Sequence, residues 1–402
     1  MRLNSPYADE IAGYLPWLVD LRRFIHAHPE SGPEQPETVA FIAENLRSLG
    51  LAPDTQRTGC VVDIAGTLPG LAQGFRADMD ALDLVETTRP DYLSVRGGFR
   101  SLREGKMHAC GHDFHCAILL GLARFLALHR EELRGRVRLL FQPGEEGFGG
   151  AKRMVRDGML EGFERVYALH VHPHIPVGAV GFRPGVLFAS ISKLQVKVTG
   201  KGGHGAMPHL ATDQVLLGAK MICELQSIVA RRIDPTEPAV LSICYVHAGE
   251  PAADNVIPRE LEFRGTIRTL NDGTQKQIGE EITRRLENLA RAEGQDVGLG
   301  VKDYRVYRET VNSELVCQEV TRSFQRILGP ENVNADFPIT MGAEDFSEML
   351  AEVPGVMFWL GARPKDKEAL GLPMLHHPEV ELDEDCLLVG TTLFAHLALG
   401  MP

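Results

Sequence analysis

Two textures of apolar and polar positions follow one another along the chain. Apolar residues recur at helical spacing over 9–28 and 36–50; the second stretch opens after Pro36, carries Val39, Phe41, Ile42 and Leu46, and stops at Gly50. Two strand-like runs come next, CVVDIAG (60–66) and LAQGFRADM (71–79), parted by the turn sequence TLPG. The largely apolar AILLGLARFLALHREEL (117–133) predicts a buried helix, and RVRLLFQP (136–143) a short buried strand. Helices alternating with apolar strands predict an α/β layer fold around a mostly buried sheet.

The middle of the chain reads differently. KLQVKVTG (193–200), a helix over 211–231, AVLSICYVHAG, ELEFRGTIRT, a helix over 274–292 and VGLGVKDYRVY give the order strand, helix, strand, strand, helix, strand. That order is the ferredoxin-like split pattern, and its near-alternating strands suit an α+β sheet with one covered face. Since α/β texture then resumes, the pattern predicts two domains: a larger one built from 1–184 and 299–402, and a smaller one inserted at 185–298.

Composition narrows the function classes. A net charge of −12 over 402 residues opposes nucleic acid and anionic membrane surfaces, and no basic patch interrupts it. The start, MRLNSPYADEIAGYLPWL, lacks the apolar core of a signal peptide and no window holds eighteen apolar residues, so a cytoplasmic protein is expected. Seven scattered cysteines do not form the framework of a small secreted domain.

Candidate chemistry gathers in four places. KMHACGHDFH (106–115) offers the thiol of Cys110 and the imidazole of His112 two positions apart; a metal site, a redox thiol and local composition all fit those letters. In LLFQPGEEGFGGA (139–151), Glu145 and Glu146 follow an apolar strand within a glycine-rich loop. Adjacent carboxylates repel unless they share a cation or one keeps its proton, which fits one glutamate binding metal while its neighbour moves a proton. YALHVHPHIPVG (167–178) brings His170, His172 and His174, of which the last two read as structural, and LHHPEVELDED (375–385) brings His376 and His377. Together these clusters supply enough His, Cys and Glu for a two-metal hydrolytic site.

The chain resembles the metal-dependent amidohydrolases of the aminoacylase and carboxypeptidase superfamily, in the subgroup of hippurate hydrolase, N-acyl-amino-acid amidohydrolases and auxin-conjugate hydrolases. LRRFIHAHPE, RADMDAL, GKMHACGHD, LLFQPGEEGFGGA, ALHVHP, GKGGHGAMPH, NVIPRELEFRGTIRT, GAEDFS and LHHP carry the resemblance in the family's order. It implies a metallopeptidase-like catalytic domain with an inserted lid and dimerisation domain. It also implies cleavage of the amide of N-acyl amino acids, acetyl or aroyl, by a metal-activated water. Cys110, His112, Glu146, His170 and His376 would hold two divalent ions (zinc, manganese, cobalt or nickel), with Cys110 shared and Glu145 as general base. Asp78, Asp80 and Asp113 would orient ligand imidazoles. In the inserted domain His204 would stabilise the oxyanion, Asn255 would contact substrate and Arg268 would bind its carboxylate. The expected partners are the small-molecule substrate and a second copy of the chain, joined through the inserted domain.

Departures from the family pattern bear on substrate. Asp83 stands where relatives usually have proline, HPESG replaces HPELS, and the segment Thr87–Lys106 is longer than the common form. Asp83 and GGFRS are shared with p-aminobenzoyl-glutamate hydrolase, which keeps that substrate, or a dipeptide, as an alternative. A noncatalytic small-molecule-binding homologue is the alternative from another class.

Overall fold

A computed structural model describes residues 3–294, 297–365 and 367–400. In it the first helical stretch divides at Gly13 into α1 (Ala8–Ala12) and α2 (Leu15–Ala27), the latter with Pro16 in its first turn, where no backbone donor is needed. Helix α3 (Pro36–Ser48) leads through β1 (Cys60–Ala65) and β2 (Leu68–Asp78) to a single turn, α4 (Leu93–Arg96). Then come α5 (His112–Leu128), β3 (Arg134–Gln142) and β4 (Arg165–Pro176).

Helix α5 begins five residues before the predicted 117. His112, Asp113 and His115 in its first turn are polar yet buried, so apolar periodicity passes over them. The chain turns into the helix at Gly111, whose φ of 83° is cheap only for glycine.

The chain forms two units. The first comprises Met1–Leu187, Thr310–Pro338 and Asp345–Pro402. Its seven-stranded sheet places β3 between β1 and β2, and β4 between β2 and the strand Gly355–Arg363; the short Val180–Gly181 and Val333–Asn334 complete it. β1 runs antiparallel to β3, whereas β2, β3, β4 and Gly355–Arg363 are mutually parallel. Helices α2, α5 and Cys386–Ala398 share one apolar core with this sheet, through Leu18, Ile118, Leu122, Phe75, Leu169 and Leu393 among others. Fully burying each such side chain contributes roughly 1.5–3 kcal/mol. Gly390 permits the close helix crossing, since a Cβ there would lie 2.6 Å from Ile118 Cδ1.

The second unit comprises Phe188–Glu309 and Ile339–Glu344. Its antiparallel sheet has the order Gly298–Tyr307, Ser190–Thr199, Glu260–Thr269, Ala239–Ala248. Helices Gln214–Arg232 and Asp272–Glu293 bury Leu217, Met221, Ile278 and Ile282 with Val196, Val198 and Phe263 of the sheet. Both helices open on side-chain caps: Asp213 accepts from Leu216 N at 3.0 Å and Asn271 from Thr274 N at 2.8 Å. The boundary read at 298 therefore shifts, because Gly298–Tyr307 pairs along its length with Ser190–Thr199 and carries the unit on to Glu309. Ile339–Glu344 joins the same unit, with Ala189 N donating to Thr340 O at 3.1 Å. Among the described residues no helix is long and apolar enough to cross a membrane.

A surface network at the end of α5 gives a small pH-dependent contribution. His129 Nε2 faces Glu10 at 2.9 Å and Nδ1 faces Glu132 at 2.7 Å. Burial disfavours the charged ring, but the bonds to Glu132 and Glu10 outweigh it and raise the pKa above its ordinary value. The raised folded pKa means that this stabilisation is full below about pH 6.5 and is lost as the pH climbs through the folded value. Exposed pairs of this kind contribute about 0–1 kcal/mol. The melting temperature of His129→Gln should thus lie slightly below wild type at pH 6 and converge with it at alkaline pH; a gap that is constant with pH contradicts the assignment.

Candidate metal centre

Because β2, β3 and β4 are parallel, their carboxyl ends share one edge of the first unit's sheet, the edge at which open α/β sheets collect ligands. Asp78 ends β2 opposite Gln142 in β3, and Arg76 stands in register with Ala168, two residues before His170. The first turn of α5 arrives at the same place. Gly111 fits tightly between Cys110 and His112, since a Cβ there would stand 2.3 Å from Val171 Cγ2.

Among the groups of potential ligand atoms that lie within 4.8 Å of one another in the described residues, four are linked through Cys110 and His112: Cys110, His112 and His170; Cys110, Glu146 and His376; His112, Glu145 and Glu146; and Asp78, His112 and His115. Cys110 belongs to both of the first two. Its Sγ lies 3.4 Å from His170 Nε2 and 3.1 Å from His376 Nε2, and His376 Nε2 lies 3.1 Å from Glu146 Oε1. Donors about 2.0–2.3 Å from one tetrahedral ion stand about 3.5 Å apart, so these spacings fit a shared cation.

The tautomers fit as well. His112 Nδ1 donates to the Asp80 carbonyl at 2.8 Å, which leaves Nε2 as the ring atom a cation would meet; that buried atom has no hydrogen-bond partner. His170 Nδ1 likewise donates to Val171 O at 3.0 Å and turns Nε2 toward Cys110. The electrostatics ask for positive charge. Burial opposes protonation of His112, yet Asp78, Asp80 and Glu146 outweigh it and push its pKa up to about 10. Burial, with Glu146, Glu145 and Asp78 nearby, drives the Cys110 thiol well above its ordinary value, so a thiolate there requires a cation beside it. Among the described residues, none of these groups brings a second thiol to Cys110 for the redox reading.

The glutamate loop is fixed by its own backbone: Gly150 N donates to Gly144 O at 3.1 Å, and Glu146 N to Asp80 Oδ2 at 2.9 Å. Glu145 is buried, and its Oε1 accepts from Asp345 N at 3.4 Å. His376 has φ 66°, a left-handed conformation that non-glycine residues seldom take outside constrained sites. Its N–H donates to Ala109 O at 2.9 Å, whereas His377 Nδ1 accepts from Glu379 N at 3.1 Å and lies outside the cluster. His172 packs its ring edge-on against Trp359 at 4.9 Å, and His174 Nε2 faces Leu372 O at 3.1 Å.

The three aspartates part company. Asp80 meets His112, as above. Asp78 Oδ1 stands 2.5 Å from His115 Nδ1 and Oδ2 stands 3.6 Å from His112 Nε2. Asp113 corrects the expectation that it orients a ligand imidazole: its Oδ2 accepts from Arg22 Nε at 2.8 Å and faces His26 Nδ1 at 2.8 Å. The helix rotates successive side chains by about 100°, so neighbouring residues 112 and 113 look in different directions.

Sequence reasoning passed over His115, Arg76 and Asp345. His115 Nε2 accepts from Val171 N at 3.0 Å while Nδ1 serves Asp78, and its spacing from His112 is the i, i+3 signal of one helix face. Arg76 Nη1 and Nη2 reach Asp78 at 2.7 Å and Asp345 at 3.1 Å. His204, Asn255 and Arg268 belong to the second unit. His204 is exposed, Gly205 N donates to Asn255 O at 2.7 Å, and half-buried Arg268 donates through Nη1 to Met341 O at 2.9 Å.

The model of peptidase family M20/M25/M40 matches residues 74–400. Thermostable carboxypeptidase 2 of Saccharolobus solfataricus is 35% identical over 99% of this chain and 99% of its own. N-acetylcysteine deacetylase of Bacillus subtilis is 34% identical, over 95% and 96%. The crystal structure of the Bacillus subtilis YXEP protein, described as a dinuclear metal binding peptidase of family M20, is 30% identical, with a TM-score of 0.79 over 96% and 98% of the two chains. With a family match of this extent and relatives aligned from end to end, the chain belongs to the peptidase family M20/M25/M40.

Proposed function

We propose that this chain hydrolyses the amide bond of N-acyl amino acids, acetyl or aroyl, releasing a carboxylic acid and an amino acid. The observation that carries this reading is the sharing of Cys110 between two ligand trios with Glu145 alongside. The names of the relatives point the same way. A deacetylase of N-acetylcysteine and a carboxypeptidase both break an amide whose nitrogen belongs to an amino acid with a free carboxylate.

In this reading Cys110, His112, Glu146, His170 and His376 hold two divalent ions, as in the dinuclear relative. Such ions supply Lewis acidity that polarises the amide carbonyl and makes a water acidic at neutral pH. Glu145 accepts the proton of the attacking water and returns it to the departing nitrogen, for which its buried, fixed carboxylate is suited. Asp78 and Asp80 hold imidazoles of the cluster in place. His204 donates to the developing oxyanion, Asn255 contacts substrate, and Arg268 takes the substrate carboxylate through its planar fork.

The second unit is proposed as the lid and dimerisation domain. Strand Ala239–Ala248 lies at an edge of its sheet and exposes Tyr245 and Val246, the kind of edge that pairs with another copy. Sedimentation should give a dimer, and a fully active monomer would remove that assignment.

The direct test is mass-spectrometric screening of N-acetyl, N-benzoyl and p-aminobenzoyl-glutamate substrates with enzyme reconstituted in zinc, manganese, cobalt or nickel. Turnover should vanish on chelation and return with metal. Hydrolysis of p-aminobenzoyl-glutamate alone would move the substrate, and binding without hydrolysis of any member would sink the enzymatic reading.

A further inference from the structure

The motif LRRFIHAHPE contributes two side chains that none of these roles uses. Arg22 and His26 sit one turn apart on α2, both buried, facing the start of α5. Both meet Asp113 Oδ2, and Arg22 Nη1 also reaches Glu384 Oε1 at 3.2 Å, just before helix Cys386–Ala398. On its far side His26 Nε2 faces Glu86 Oε1 at 3.1 Å, and Glu86 Oε2 accepts from Ser101 N at 2.7 Å. Phe99 covers the guanidinium, with Arg22 Cζ 4.9 Å from its ring centroid. One buried ionic set thus joins α2, the first turn of α5 and the segment 86–101.

That segment overlaps Thr87–Lys106, noted above as longer than the common form, and its near end also holds the chain that follows His376. Thr87 N donates to Pro378 O at 3.1 Å, and Tyr92 OH to Glu379 Oε2 at 3.1 Å. Apolar packing of similar volume can match a buried ion pair in stability, but it lacks the directionality that fixes a backbone in one place. Asp113 is covalently next to His112 and three residues from Cys110, so fixing it fixes the turn that presents both.

We propose that Arg22 and His26 are positioning residues: by anchoring Asp113 they hold the first turn of α5, and with it Cys110 and His112, at the spacing two ions require. Segment 86–101 carries the same constraint to His376. The inference rests on the reading of Cys110, His112 and His376 as ligands.

The test uses the full chain, stripped of metal and titrated with cadmium. With the exposed, free Cys223 and Cys244 replaced by serine throughout, ultraviolet absorption from thiolate-to-cadmium charge transfer reports Cys110, and a competing chelator gives the dissociation constant. Wild type should show the band; Arg22→Lys and His26→Gln should bind about ten- to hundred-fold more weakly, the usual cost of losing an outer partner. Wild-type affinity in a folded variant, even one with a lowered melting temperature, overturns the proposal, because a merely structural network would move stability alone. A wild-type protein without the band would instead defeat the ligand reading. If both variants fail to fold, the isosteric Glu86→Gln decides by the same readout: weakened binding supports the constraint, and unchanged binding overturns it.

Discussion

Glu145→Gln is expected to lower kcat toward N-acyl amino acids by about 10²- to 10⁴-fold, the span typical of a lost general base. The substitution keeps size and a hydrogen-bond acceptor for Asp345 N, so the loop should stay in place. What it removes is the capacity to take a proton. Cadmium or zinc content per chain should remain near wild type, since both trios that share Cys110 are formed without Glu145. Glu146→Gln should behave oppositely, shedding metal because Glu146 meets His376 and Cys110 in one trio. Steady-state kinetics alongside metal analysis separates the two; a Glu145→Gln enzyme with undiminished kcat would end the proposed mechanism.

The adjacency of those glutamates shows what a sequence makes legible. Glu145 and Glu146 follow an apolar strand directly, so strand and loop could be read from local pattern, and residues of ligand type stood out by clustering along the chain. The alternation of apolar runs likewise announced the sheet of the first unit, and the strand and helix order of 190–307 announced the second. What stayed hidden was non-local. The start of α5 at His112 depends on Gly111 and on buried polar contacts, neither of which adds to apolar periodicity. The direction of Asp113 depends on α2, some ninety residues earlier in the chain. Gly298–Tyr307 was visible as a strand, yet its ownership was settled only by pairing with Ser190–Thr199. Local propensity names an element; long-range contacts decide where it starts and what it faces.

Arg76 is the strongest case of such a contact, and its replacement should cost the most stability. It is almost wholly buried in β2, with Nη1 on Asp78 at 2.7 Å, Nη2 on Asp345 at 3.1 Å and Nε on the Gln142 side chain at 2.8 Å. Asp345 in turn accepts from Gln142 Nε2 at 2.7 Å and from Ala151 N at 2.9 Å. Arg76→Met fills a similar volume but leaves two buried carboxylates without their cation. Breaking a buried pair from one side costs about 3–5 kcal/mol, more than the pair itself contributes, because the stranded charge cannot return to water. The loss should appear in the denaturation of metal-free protein as a midpoint well below that of wild type. Arg76→Lys retains charge without the planar fork and should fall between the two. Cadmium affinity should drop as well, since Asp78 also holds His115 and faces His112. An Arg76→Met protein as stable as wild type would mean that Asp78 and Asp345 are neutralised by other means, and that the carboxyl edge of the sheet does not depend on this guanidinium.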